Sequence, residues 1–141
     1  MRQFIILSSC PWGDMHQRPH QMAKALAKLG HKVTFISQGS VKLDMEEPPL
    51  LEQILKALIL GRKLVESGIE VYSLFNSRKH LNLVSEQYIM LLNYLLIDNM
   101  DNVIVSYFPR FISILDKVKG KYRLVYDCVD DHEDMEYSYW S

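Results

Sequence analysis

Short apolar runs alternate with longer amphipathic segments along this chain, and that alternation constrains the fold more than any other feature. Phe4, Ile5, Ile6 and Leu7 form a continuous apolar run that stops at Ser8 and Ser9. A strand covered on both faces, as in a parallel sheet, reads this way, whereas a strand with one wet face alternates. After a polar loop, Pro19 sits where a first helical residue tolerates it, because its missing N–H would have no intrahelical partner there. Met22, Ala25, Leu26 and Leu29 recur at helical spacing, with Gln21, Lys24 and Lys28 on the other face. Gly30 follows as a helix-ending residue. Residues 33–36 make the next apolar run. The spacing therefore predicts a βαβ unit over residues 3–37 with a right-handed crossover.

The same grammar continues. Residues 38–49 carry Gly39, Pro48 and Pro49 and read as a loop. Leu51, Ile54, Leu55, Leu58 and Ile59 predict an amphipathic helix over 50–65, whose Lys56, Arg62 and Lys63 offer a basic face to a membrane surface. Packing on the sheet is the competing assignment for that helix. Residues 69–74 predict a third strand, 83–97 a long helix apolar on most of its circumference, 103–105 a fourth strand, 111–118 a short helix and 123–126 a fifth strand. Strands alternating with helices predict an α/β fold, a Rossmann-like open parallel sheet with helices on both faces and strand order 3-2-1-4-5. In that order Cys10 and Cys128 follow strand ends about 10 Å apart, which argues against a disulfide.

At 141 residues the chain has room for one domain. Hydrophobic residues are 48 % and charged residues 23 %, which excludes intrinsic disorder. A net charge of −1 lacks the basic stripe of a nucleic-acid binder. The opening apolar run is too short for a signal-peptide core, and no uncharged stretch approaches the roughly 20 apolar residues that span a bilayer. These features point to a cytoplasmic protein with reduced thiols. Charge is unevenly spread: six acids and no Lys or Arg lie in residues 127–136, leaving eleven acids against sixteen bases elsewhere.

Ligands of such sheets bind beyond the carboxyl ends of the strands. Two of those ends are chemically rich. The first, residues 8–20, holds Trp12, Asp14, His16, Arg18 and His20. It has neither the G-x-G-x-x-G of a dinucleotide site nor the Gly-Lys-Ser/Thr of a P-loop. Arg18 at the cap position brings no short acceptor, so the N–H groups of His20 and Gln21 are available to an anion or a sugar hydroxyl. Trp12 could stack on a sugar ring. The bland alternative has Trp12 packed under the loop and Arg18 paired with Asp14. The second end holds Asp127, Asp130, Asp131, His132, Glu133 and Asp134. These acids could supply a general base or bind a divalent cation, and the bland alternative is a solvated acidic turn. No second ligand cluster supports a metal, and no Ser-His-Asp order or G-x-S-x-G elbow supports a hydrolase. His31, next to Gly30, reads as structural.

Together the two segments resemble a family. Trp12, the run Arg18, Pro19, His20, Gln21, Met22, Ala23, Lys24, Ala25, Leu26 and Ala27, and then Gly30, His31, Lys32 and Val33 look like the opening of GT-B glycosyltransferases. Tyr126, Asp127, Cys128, Val129, Asp130 and Asp131 look like a stretch that ends a later strand in the same proteins. The similarity is to bacterial group-1 (family 4-like) transferases that build surface polysaccharides or teichuronic-acid-like polymers, and it spans nearly the whole chain.

The resemblance implies two Rossmann-like domains facing a cleft, of which residues 1–141 are the N-terminal, acceptor-binding one, truncated before its last helix and strand. The nucleotide sugar would belong to a C-terminal domain that this chain does not contain, so the chain alone would be inactive. Carried over by position, Trp12, Arg18 and His20 would border the acceptor or the donor phosphates, and Asp127, Asp130 and Asp131 would form the catalytic wall of the cleft; Tyr107, at the carboxyl end of the fourth strand, is a further substrate-binding candidate. The resemblance implies no cofactor, no metal and no nucleic acid; the partners are a saccharide acceptor and a nucleotide sugar, with peripheral contact at the inner face of the membrane. The alternative is a stand-alone flavodoxin-like binding or signalling domain. Its receiver-like form fails, because Ser8 and Ser9 replace the acidic pair after the first strand, and Phe75 and Asn76 replace the phosphorylatable Asp after the third.

Overall fold

A computed structural model describes residues 2–8, 12, 18–37, 50–65, 68–76, 80–96, 100–107 and 111–127. Its elements in chain order are β1 (Arg2–Leu7), α1 (Arg18–Lys28), β2 (Lys32–Ser37), α2 (Leu51–Leu60), β3 (Lys63–Val65), β4 (Ile69–Ser73), α3 (Leu81–Leu95), β5 (Asp101–Ser106), α4 (Phe111–Leu115) and β6 (Arg123–Tyr126). They build a six-stranded open sheet of order β3-β4-β2-β1-β5-β6. Every adjacent pair is parallel except β3 with β4. The fold is α/β and Rossmann-like, and its five parallel strands stand in the expected order.

The apolar runs form the central strands because both of their faces are covered. Ile5 and Leu7 of β1 point to a core shared with α2, α3 and α4, through Ile54, Leu58, Tyr88, Leu91, Leu92, Leu95, Phe111 and Leu115. Ile6 points to the opposite core, with Val33 and Phe35 of β2, Val103 and Val105 of β5, and Ala23 of α1. Thus α1 covers one face and the other three helices cover the second. Helix α1 ends as its sequence predicts. Gly30 takes φ +89°, the N–H of Gly30 donates to the Ala27 carbonyl at 3.0 Å, and the N–H of His31 donates to the Leu26 carbonyl at 3.2 Å. That pair of bonds is a Schellman closure, and it turns the chain straight into β2.

The region after α2 departs from the expected pattern. The periodicity predicts helix over 50–65, yet α2 stops at Leu60 and Lys63–Val65 forms a sixth, antiparallel strand against β4. Gly61 follows the helix directly and is a poor residue to extend it. Beyond it, Lys63, Leu64 and Val65 pair with Val71, Glu70 and Ile69 on the free edge of β4. Sheet pairing overrides a helical pattern that Gly61 has already weakened. The basic trio is consequently split: Lys56 lies on α2, Arg62 in the connection and Lys63 on β3. The other helices also shift, since α3 covers Leu81–Leu95 instead of 83–97 and α4 stops at Leu115 instead of residue 118.

Polar side chains placed inside the fold tie its layers together. Gln3, fully buried, donates from Nε2 to the Leu95 carbonyl at 2.9 Å and to Asn102 Oδ1 at 2.8 Å, and Asn102 Nδ2 donates to the Lys121 carbonyl at 3.2 Å. Gln87 clamps the exit of β4: its Oε1 accepts from the Phe75 N–H at 3.1 Å and its Nε2 donates to the Phe75 carbonyl at 2.9 Å. At the far edge, all four residues of β6 are exposed.

Candidate functional site

The parallel order brings the carboxyl ends of β1, β5 and β6 side by side, and the first turn of α1 sits above them. Ladder bonds continue one residue past each strand. The N–H of Ser8 donates to the Ile36 carbonyl at 3.1 Å, that of Tyr107 to the Leu7 carbonyl at 3.3 Å, and that of Asp127 to the Ser106 carbonyl at 3.0 Å. Tyr107 and Asp127 are therefore held on sheet backbone rather than on a free loop.

Arg18 and Asp127 meet across this edge. Arg18 Nε donates to Asp127 Oδ2 at 3.1 Å, although 109 positions separate them. The Arg18 side chain is 57 % exposed and that of Asp127 only 14 %. The charge logic is local. The first turn of α1 contains no acid, and Arg18 places a cation at the positive end of the helix dipole. Asp127 supplies the negative charge that this helix start lacks. Among the described residues neither group has another ion-pair partner, and the Asp127 carboxylate also interacts with the Tyr107 hydroxyl.

Tyr107 lies beneath the pair. It is 3 % exposed, and its hydroxyl is buried without a hydrogen bond of proper geometry. Burial pushes the phenol well above its ordinary pKa, the neighbouring Asp127 carboxylate pushes it further, and Arg18 offsets part of this. The hydroxyl is thus held neutral beside a carboxylate and a guanidinium.

Trp12 and His20 form a separate, apolar wall. His20 is fully buried on α1. Its ring centroid lies 5.1 Å from Trp12 and 5.0 Å from Phe35, and Trp12 meets Phe35 edge-on at 4.9 Å. Half-buried Trp12 packs on the core beneath α1. Phe35 is the member of this trio that sequence reasoning did not single out: inside a run of buried residues it carries no chemical mark.

Of the candidate residues, the fold brings Arg18, Tyr107 and Asp127 into one polar group and stacks Trp12 and His20 behind it. Asp130, Asp131, Asp14, Cys10 and Cys128 lie outside the described residues. Among the described residues, no three His, Cys, Asp or Glu side chains are grouped as a metal ion would need, and no helix is long and apolar enough to cross a membrane. The chain matches no known protein-family model, and comparisons with curated proteins and with solved structures likewise return no match.

Proposed function

We propose that this domain is the acceptor-binding half of a glycosyltransferase that moves a sugar from a nucleotide sugar to a saccharide or cell-surface glycan acceptor. One observation carries the reading: Arg18, from the first family-like segment, bonds to Asp127, from the second, at the edge of the sheet where Rossmann-like folds bind ligands. Two segments far apart in sequence that share one site are more specific than either motif alone.

In this reading the acceptor hydroxyl is oriented by Asp127 and Arg18, with Tyr107 beneath them. In the same reading the nucleotide sugar is held across a cleft by a second Rossmann-like domain. The enzyme works on the cytoplasmic side, at the inner face of the membrane, where surface-glycan precursors are accessible. The test is a transfer assay on the full-length gene product with labelled nucleotide sugars and a panel of saccharide acceptors. Transfer, or donor hydrolysis without acceptor, supports the reading. The absence of both with every common donor overturns it.

A further inference from the structure

We infer that two copies of this chain associate through β6, antiparallel about a two-fold axis at Val125, so that one sheet runs through both. This association is independent of the transferase reading.

Strand β6 is at odds with the rest of the sheet. Strands of a parallel sheet are covered on both faces, and β1, β2 and β5 are buried along most of their length. All four residues of β6 are exposed, with Leu124 at 43 %, Val125 at 48 % and Tyr126 at 38 %. Leu124 and Tyr126 share one face and Val125 lies on the other, so apolar surface reaches solvent on both. Among the described residues β6 pairs with β5 alone. Leu, Val and Tyr without a proline make an edge that accepts a further strand.

Charge selects the occupant. Arg123 opens β6 and Asp127 follows it, so the two ends of the edge carry opposite charge. A two-fold axis normal to the sheet at Val125 sets Arg123 opposite Asp127 of the second copy, and symmetry repeats that pair. The same operation sets Leu124 opposite Tyr126 of the second copy and Val125 opposite its own equivalent. Arg123, Val125 and Asp127 share a face, so charge meets charge and apolar meets apolar. The hydrogen-bond phase agrees. The Asp127 N–H faces β5, so by alternation the main-chain groups of Leu124 and Tyr126 face outward. They form the hydrogen-bonded pairs of the new ladder, and Val125 forms the close pair on the axis. The Arg123 side chain is 71 % exposed and reaches Asp101 only at 3.6 Å, while Asp101 also holds Arg2 at 2.8 Å, so Arg123 can turn without stranding a carboxylate. The opposite edge fits less well. Strand β3 has three residues, Val65 packs on the core, and pairing about Leu64 would set Lys63 opposite an apolar Val65. Four residues from each copy bury less than the roughly 1,200 Å² of a standard interface, so the dimer is reversible, with a dissociation constant on the order of 10 µM.

Sedimentation velocity of the 141-residue chain between about 1 and 200 µM is expected to show a monomer–dimer equilibrium. Val125→Lys brings like charges together on the axis and should leave a monomer throughout, with unchanged far-UV circular dichroism. Arg123→Glu, on an exposed side chain, should weaken the dimer about tenfold by facing Asp127, and it serves if Val125→Lys does not fold. Cross-linking reads the register in a background carrying Cys10→Ser and Cys128→Ser. Val125→Cys should form an intermolecular disulfide under mild oxidation, because equivalent residues on the axis lie about 4.5 Å apart at Cα. Leu124→Cys, which faces Tyr126, should not. A wild type that stays monomeric at about 200 µM overturns the inference, whether its β6 amides exchange freely or are covered from within the chain. A dimer indifferent to both charge variants, or one cross-linked faster through Leu124→Cys, overturns it as well.

Discussion

Tyr107, Asp127 and Arg18 are ordered by burial, from an interior phenol to a solvent-facing guanidinium, and each predicts a different consequence of substitution. The Tyr107 hydroxyl lies beside the Asp127 carboxylate and interacts with it, so Tyr107→Phe should lower stability in urea at pH 8 by about 1 kcal/mol. The pH dependence has a definite sign. The native phenol titrates above the ordinary value of about 10, so between that value and its native pKa the unfolded chain has lost a proton that the folded chain keeps. Stability tied to Tyr107 is complete below pH 10 and is lost as pH rises toward the native pKa. Urea midpoints at pH 8 and pH 11 should show a smaller alkaline loss in Tyr107→Phe than in the wild type; equal losses would count against this placement of the phenol. Five of the seven candidate residues, Trp12, Arg18, His20, Tyr107 and Asp127, are among the described residues, and the sequence alone places them at or just beyond predicted strand ends. Which acid Arg18 meets is not legible there, because Asp14 is a near neighbour in the chain and Asp127 becomes one only through the order of β1, β5 and β6.

At the scale of elements, the clearest local signals are those backed by backbone conformation. Gly30 sits at φ +89° with open space around it, so Gly30→Ala tests conformation without a clash and should cost about 1–2 kcal/mol in chemical denaturation. Gly120 is the opposite case. A Cβ there would lie 2.7 Å from Leu96 Cβ, so Gly120→Ala should destabilise by steric overlap, about 1–3 kcal/mol in the same measurement. Gln87 clamps both backbone groups of Phe75, and Gln87→Leu should cost about 2–3 kcal/mol by leaving them unpaired in a largely buried setting. The boundary between α2 and β3 shows where local reading stops. Apolar spacing carries on past Gly61, but Lys63, Leu64 and Val65 answer to β4, an element not yet reached along the chain. A strand of three residues has too few positions to show a period of its own.

The described residues build an asymmetric sandwich: three helices on one face of the sheet and α1 on the other, with a central β1 flanked by β2 and β5 and an outer β6 exposed at every position. Native-state hydrogen exchange should rank these strands, with β1 amides exchanging only through global opening and β6 amides much sooner. The parallel order, and with it the edge beyond which such sheets bind ligands, follows from the apolar runs and their spacing. The pairing of the two motif segments follows from that order, which places α1's first turn within reach of the residue after β6. The central claim is that this shared edge holds the acceptor of a sugar transfer. The most direct measurement is the steady-state rate of transfer by the full-length gene product, wild type against Asp127→Asn, with acceptor and donor varied in turn. Transfer by the wild type is expected, with a fall of about tenfold or more in kcat/KM for the acceptor in the variant and the donor KM unchanged. A wild type that neither transfers nor hydrolyses any common nucleotide sugar, or a variant whose defect lies in the donor KM alone, would contradict it.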